Sequence, residues 1–427
     1  MFEHALPGWS RVNLTDLATY INGYAFKPED WSEHGLPIVR IAQITGSSAD
    51  CDYYQGRLSE DVKIDNGDII FSWSGTLCVV QWNGGPAWLN QHLFKVKPAE
   101  GVSHRLLYHI LSHAVAEMDK SAHGSTMKHI KRSELKRYEF LFPNSRKEQE
   151  KIGRVLDTLD TQIQKTEALI AKLEKLKEGL LHDLLTRGID ENGQLRPSPE
   201  QAPELYKDSP LGPIPKSWDT STVREVADPL VGPAFESSRF TGSSQGVRLL
   251  RGLNVTRGRV RWDESKTERW PSNDPIASRY ALSEGDIVVG MDGALVGKNK
   301  AILTDEDVPS LLVQRVIRLR ANSADCTYLY MNICSARFLA HIDNVKTHTA
   351  IPHITSGNVC DFIVPRPSPH EVDRITRAYK ALEEKTRTYR SQLSKLSADK
   401  VGLMDDLLTG RVRVTPLLGQ AQATTPA

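Results

Sequence analysis

The residues of this chain best suited to chemistry are cations crowded onto one short stretch. VRLLRGLNVTRGRVRW (247–262) carries Arg248, Arg251, Arg257, Arg259 and Arg261, with Asn254 among them and Trp262 at its end. Arginines spaced this way along a strand or hairpin line one surface with guanidinium groups. Such a surface neutralises phosphates, or sets a single planar fork against guanine O6 and N7. The plainer reading is a solvated strand face. An earlier stretch, LPIVRIAQIT (36–45), offers a less basic set in Arg40, Gln43 and Thr45.

Two loops combine small hydroxyl residues with His and Lys: HGSTMKHIK (123–131) and VKTHTAIPHI (345–354). Such groups bond phosphates and base edges. Lys128, Lys346 and His348 are the stronger contact candidates. His129 and His353 either join them or cap a turn that Ile130 and Ile354 anchor. The turns SWSGT (72–76) and GMDGALVGKNK (290–300) follow apolar strands and add Ser74 and Lys298 as groove candidates. Trp73 fits a core better than a reading surface.

Catalytic signals are weak. Gly293-Ala-Leu-Val-Gly297-Lys298-Asn299 has three residues between its glycines where a phosphate-binding loop needs four, and it lacks the magnesium-holding Ser/Thr. His109 and His113 stand at i, i+4 on a helix, but no HExxH glutamate or third ligand accompanies them, so a surface or partly buried helix face is expected there. Glu134-Leu-Lys136 and Glu264-Ser-Lys266 are ExK triplets without a preceding Pro-Asp. No Asp/Asn-Pro-Pro-aromatic or FxGxG motif for DNA methylation is present. The catalytic residue set is therefore empty, with no metal site and no resident cofactor expected.

The elements that must position these residues are dominated by two long helices. From Ile152 an apolar seam of period 3.5 runs through Leu156, Leu159, Ile163, Thr166, Ile170, Leu173, Lys177, Leu180 and Leu184. This is the pattern of a coiled-coil helix. Shifted by 223 positions it returns as Ile375, Tyr379, Leu382, Thr386, Tyr389, Leu393, Leu396, Lys400, Leu403 and Leu407, with the polar Lys177 and Lys400 in register. The helices end alike, in HDLLTRG (182–188) and DDLLTGR (405–411). Landmarks ahead of each helix repeat too: Trp9 and Trp218, VRIAQI (39–44) and LRGLNV (250–255), GDIIFSWSG (67–75) and GDIVVGMDG (285–293), STMKHI (125–130) and TAIPHI (349–354). A tandem duplication of about 220 residues follows, each copy a strand-rich globular domain and a long helix. LPIVRIAQI, GDIIFSW and HLFKVKP (92–98) have strand lengths and turn punctuation. SHRLLYHILSHAVAEMDK (103–120) has helical spacing.

The totals fit this organisation. A chain of 427 residues exceeds one compact core. Its 39% hydrophobic and 25% charged residues are those of a soluble protein, and its net charge of +1 neither favours nor excludes a nucleic-acid partner. Cys51, Cys78, Cys326, Cys334 and Cys360 form no CxxC, as expected of free thiols in a reducing compartment. No apolar leader opens the chain and no 18-residue apolar run occurs, so no membrane association and a cytoplasmic location are expected.

The linker phrases LLHDLLTRGIDENGQLR (180–196) and LYKDSPLGPIPKSW (205–218), with EQEKIGRVLDTLD (148–160) and LMDDLLTGRVRV (403–414), resemble the specificity (S) subunit of type I restriction–modification systems. The likeness runs from Gly8 to about Val414. It implies an α+β fold: two mixed strand-rich target-recognition domains separated by two long antiparallel coiled-coil helices, an internal tandem duplication. The expected boundaries are recognition domain 1 at 1–144, helix 1 at 145–187, a Pro-rich linker at 188–212, recognition domain 2 at 213–366, helix 2 at 367–410 and a disordered tail at 411–427. The family also implies a non-catalytic subunit that binds double-stranded DNA, each domain reading half of a bipartite site. Its partners would be two methyltransferase (M) subunits and restriction (R) subunits, with S-adenosylmethionine, ATP and Mg2+ on those partners. The competing readings are a specificity module of a methyltransferase-only defence system and a coiled-coil protein-interaction scaffold.

Overall fold

The structure is a computed structural model, and it describes residues 6–121, 129–130, 132–242, 246–272, 274–322 and 326–420. The chain forms two compact units, Met1–Ala168 with Arg390–Ala427, and Leu169–Tyr389. Each unit thus holds one strand-rich domain and a segment of each long helix.

In the first unit, Ala18–Asn22, Leu93–Pro98, Ile69–Ser72 and Cys78–Gln81 form an antiparallel sheet in that order. A second sheet orders Tyr53–Tyr54, Leu36–Val39, Ala87–Leu89 and Lys63–Ile64, with its middle pair parallel. Helix His104–Ser121 buries Leu106, Leu107, Ile110, Leu111, Ala114 and Val115, the face its spacing predicts. These side chains share one core with Phe71, Phe94, Ile152, Leu156, Met404 and Leu407.

The second unit repeats the plan. Ala227–Val231, Val316–Ala321, Ile287–Gly290 and Lys300–Ile302 form the matching antiparallel sheet. Arg269–Trp270, Val247–Leu250 and Ser310–Leu312 form the second, again with a parallel pair. Each domain also closes in the same way. Trp9–Asn13 pairs with Glu139–Pro143, and Asp219–Thr222 pairs with Ile363–Arg366, so the chain enters and leaves beside its helix.

One strand is shorter than its sequence suggests. In LPIVRIAQI only Leu36–Val39 is extended, and Ile41–Thr45 is a helical turn. The Gln43 Oε1 accepts the Arg40 amide at 2.9 Å, and this side-chain cap turns the chain before a longer strand can form. The copy does likewise, with Asn254 Oδ1 accepting the Arg251 amide at 3.0 Å.

The long helices run Arg146–Thr186 and Pro369–Leu408. Every seam position is buried or half-buried. Within the first unit Asp160 pairs with Lys400 and Glu148 with Arg413. Within the second, Lys177 pairs with Glu383 and Glu371 with Arg196 just past the first helix. Residues later in one helix therefore meet residues earlier in the other, the antiparallel sense. The seam lysines are where the two-copy pattern placed them, each satisfied by a carboxylate of the facing helix.

Of the two connecting segments, the linker is as named and the tail needs correcting. The Pro-rich linker is packed: Ile189, Ala202 and Tyr206 are buried, and Tyr206–Lys207 pairs with Ile214–Pro215. The tail is ordered well past 411. Arg411 bonds Asp405 and Asp406, Val414 is buried, and Thr415–Gln420 is helical. Arg413 explains this order, because its guanidinium meets the otherwise uncompensated buried carboxylate of Glu148 at 2.8 and 3.1 Å. Residues 421–427 lie outside the described residues. All five cysteines are free, and no described helix is long and apolar enough to cross a membrane.

Candidate nucleic-acid interface

In each domain the central strand ends at a tight turn, Ser74–Gly75 in the first and Asp292–Gly293 in the second. The later loop returns to that turn. Ser74 bridges His129 while the Ile130 amide donates to the Trp73 carbonyl at 2.9 Å. Asp292 bridges His353 while the Ile354 amide donates to the Met291 carbonyl at 2.9 Å. His129 and Ile130 are thus the structural equivalents of His353 and Ile354, while residues 125–128 of STMKHI lie outside the described residues. Ile130 and Ile354 are buried anchors, and His129 and His353 stand exposed.

A third segment joins them. The turn Asn90–His92 in the first domain and Val313–Arg315 in the second precede equivalent strands. The Gln91 amide donates to the Tyr24 carbonyl at 2.9 Å, as the Gln314 amide does to the Pro233 carbonyl at 2.9 Å. The Asn90 amide reaches the Val39 carbonyl and the Val313 amide the Leu250 carbonyl, tying each turn to the strand that leads into Arg40 or Arg251. Gln91, His92, Gln314 and Arg315 are all exposed. In the first domain Trp73 lies between two imidazoles, its ring 5.9 Å from His92 and 6.1 Å from His129. Trp73 also packs on Phe94 and the core, so it serves as a platform as much as a core residue. In the second domain the Arg315 guanidinium donates to Asp292 at 2.7 Å, and Arg251, Leu253, Asp292, Gln314 and Arg315 line an open hollow of about 390 Å³.

The residues named from sequence divide by this geometry. Arg257, Arg259 and Arg261 are exposed on a turn closed by the Val255–Val260 bridge, and they form no ion pair among the described residues. Lys298 and His348 are also exposed. Arg251 is half-buried, 3.7 Å from Glu268. Arg40 is half-buried, bonds Asp52 at 2.5 Å and lies over the Trp31 ring. Lys346 bonds Asp343 at 2.5 Å, and His353 Nδ1 lies 3.0 Å from the Thr347 hydroxyl. Three residues have internal duties instead. Asn254 is buried, and its amide nitrogen donates to the Arg261 carbonyl at 3.1 Å, so it holds the arginine-bearing turn closed. Gln43 donates to the Asp50 carbonyl as well as capping Arg40, and Ser74 is buried. Arg248 is withdrawn too, stacked over Trp262 with burial lowering its pKa. Lys128 lies outside the described residues.

Sequence reasoning missed Gln91, His92, Gln314 and Arg315. The signal was there in the duplication, where LNQHLFKV (89–96) aligns with LVQRVIRL (312–319). His109 also differs from expectation. It is fully buried, with Nε2 2.8 Å from Asp157 and Nδ1 3.7 Å from Asp160, which Lys400 holds. Burial pushes its pKa down against the pull of those carboxylates. It therefore links the first strand-rich domain to both helix segments of its unit.

Comparison with known proteins gives a consistent picture. Residues 7–175 match the family model of the type I restriction modification DNA specificity domain. Over 422 residues the chain is 24% identical to the type I restriction enzyme MjaVIII specificity subunit of Methanocaldococcus jannaschii, covering 96% of this chain and 94% of that one. It is 32% identical over 208 residues to the EcoAI specificity subunit of Escherichia coli, covering 45% of this chain and 34% of that one. The fold is shared with the crystal structure of a type I restriction–modification S subunit from M. genitalium, at a TM-score of 0.59 and 14% identity over 96% of this chain and 98% of that one.

Proposed function

We propose, from the premise that this chain belongs to the family of type I restriction–modification specificity subunits, that each recognition domain reads one half of a split duplex DNA site. The observation that carries this reading is the repeated turn cluster. The same three backbone segments meet in both domains, but they present His92 and His129 in one and Arg315, clamped by Asp292, and His353 in the other. A common frame with different side chains is what a protein needs to read two different half-sites. The exposed Arg257, Arg259 and Arg261 supply phosphate contacts that position the second domain without reading sequence.

The chain itself is non-catalytic in this reading. Two methyltransferase subunits bind the duplicated helical scaffold, restriction subunits join them, and S-adenosylmethionine, ATP and Mg2+ act on those partners. The complex works in the cytoplasm. Sequencing of methylated DNA from cells with and without the gene tests this. One split motif should disappear on deletion and return with the gene. An unchanged methylation pattern in the deletion strain would overturn the reading.

A further inference from the structure

The geometry points to Arg315 as the residue by which the second domain recognises a guanine in its half-site, with His92 as its differently selective counterpart in the first. This rests on the proposed reading of two half-sites and assigns one base contact within it.

Four observations converge on Arg315. First, it occupies the same turn as His92, since the flanking amides of Gln91 and Gln314 make equivalent bonds and the following strands pair in the same register. The glutamine is common to both turns, and the basic residue after it differs. A position that is fixed in space and varied in chemistry is where two half-sites would be told apart. Second, Arg315 is the one non-glycine residue among those described with a positive φ, at 65°. A Cβ makes this backbone unfavourable, and glycine would adopt it freely. The first domain closes the turn differently, with Asn90 Oδ1 accepting the His92 amide at 3.4 Å, a bond Val313 cannot offer. The left-handed residue instead turns its carbonyl to the Met291 amide at 2.9 Å, which fixes its backbone to the central strand.

Third, the side chain is both oriented and available. One terminal nitrogen is held by Asp292 at 2.7 Å, and Asp292 sits on the turn that also receives His353. The rest of the guanidinium edge has no partner among the described residues, and the side chain is 65% exposed. An arginine clamped by a carboxylate presents its free N–H edge in one direction, as a bidentate contact to guanine O6 and N7 requires. A phosphate contact needs no such clamp. Fourth, the residue borders an open hollow whose wall carries Arg251, Gln314 and the exposed Leu253, leaving room for a base edge to approach.

The test uses the full chain together with its methyltransferase subunits in cells, read by methylation sequencing. Arg315→Gly suits the positive φ, so the turn should fold at least as well as in the parent, and a thermal melt would verify this. The expected result is a split motif that keeps its first half-site and spacer but becomes degenerate at one guanine of the second. Discrimination at that base should fall about 5- to 150-fold, the range of one good bidentate contact. Arg315→Lys keeps the charge but not the fork and should relax the same base, while Asp292→Asn should do so more weakly. His92→Arg should change one base of the first half-site only.

A motif unchanged in both Arg315 variants would overturn the assignment while leaving the two-half-site reading standing. So would an equal weakening of binding to all sequences with a shallower salt dependence, because that marks a phosphate contact. A parent chain that supports no split motif at all would instead defeat the reading beneath it.

Discussion

The buried glutamate that opens each long helix allows a sharp test of how the helices are held. Glu371 is almost fully buried, yet it accepts from the Trp218 indole at 3.0 Å, from the Ile189 amide at 3.1 Å and from both terminal nitrogens of Arg196. Gly188 sits directly over this cluster in a left-handed helix-terminating conformation. A Cβ there would fall 2.3 Å from the Glu371 carboxylate and from the Trp218 ring. Replacing Arg196 with Met removes the cation and leaves the carboxylate in the protein interior. Loss of one partner of a buried pair costs about 3–5 kcal/mol. Two neutral donors remain on Glu371, so the lower end, about 3 kcal/mol, applies here.

Hydrogen exchange at the Ile189 amide reads this locally, and protection should fall about 100-fold, since each 1.4 kcal/mol is about tenfold. The double variant Arg196→Met with Glu371→Gln removes both charges and should cost clearly less than the two single changes added together. In the first unit Arg413→Met should cost less, about 1.5–3 kcal/mol. Glu148 there bonds no indole, because the Trp9 nitrogen has no hydrogen-bond partner among the described residues, and the Arg413 side chain is 29% exposed. Protection at Ile189 unchanged within threefold, or strictly additive single and double variants, would refute the claim that this ion pair fastens the connecting segment to the helix.

Three further outcomes follow from other parts of the chain. Burial holds the His109 pKa below its ordinary value despite Asp157 and Asp160, so at about pH 6.5 the folded chain binds fewer protons than the unfolded chain. Asp157, Asp160, Lys400 and Arg105 all surround this cluster. Stability should therefore drop as pH falls through about 6.5, and His109→Asn should flatten that part of the thermal-melting profile. Arg257, Arg259 and Arg261 changed together to Ala should reduce the slope of log affinity against log salt by about 0.9 per lost phosphate contact, equally for all DNA sequences, as titrations at several salt concentrations would show. Glu383→Lys sets two cations together beside the helix seam and should destabilise by about 1 kcal/mol in urea unfolding, with Lys177→Glu restoring the loss.

Periodicity alone makes the long helices and the duplication legible in the sequence. A seam recurring every 3.5 residues leaves a helix few alternatives, and a second copy 223 residues later puts the same requirement in a second helix. The features that stay hidden depend on single hydrogen bonds that no pattern records. Gln43 and Asn254 have the look of contacts because they lie in basic or polar runs, but each caps the residue three before it and shortens a strand. Glu371 is obscured because PHEVDRI lacks the Gln of the first copy. Gln149 spends its amide on the Pro143 carbonyl and the Ser103 amide, whereas Val372 follows Glu371. Only the glutamate is needed at both sites. Arg196 and Arg413 carry no local signal at all, since their partners lie 175 and 265 residues away.

The internal repeat also separates what the fold demands from what recognition demands. Equivalent positions that keep their chemistry are structural: Glu148 and Glu371 with their arginines, Lys177 and Lys400 with their acids, and Ile130 and Ile354 under their turns. The equivalent exposed positions His92 and Arg315 change chemistry while the backbone bonds persist, and beside them a buried Ser74 in one domain is replaced by a half-buried Asp292 in the other. Folding cannot account for the second group, because a turn that tolerates His in one domain has no structural need of a left-handed arginine in the other. Arg315 instead carries an unfavourable backbone and a carboxylate clamp at a surface where neither stabilises a core. Local strain of that kind persists when the surrounding structure holds it for a purpose. In this chain the surrounding structure is the central strand and its returning loop, which meet the same turn in both domains.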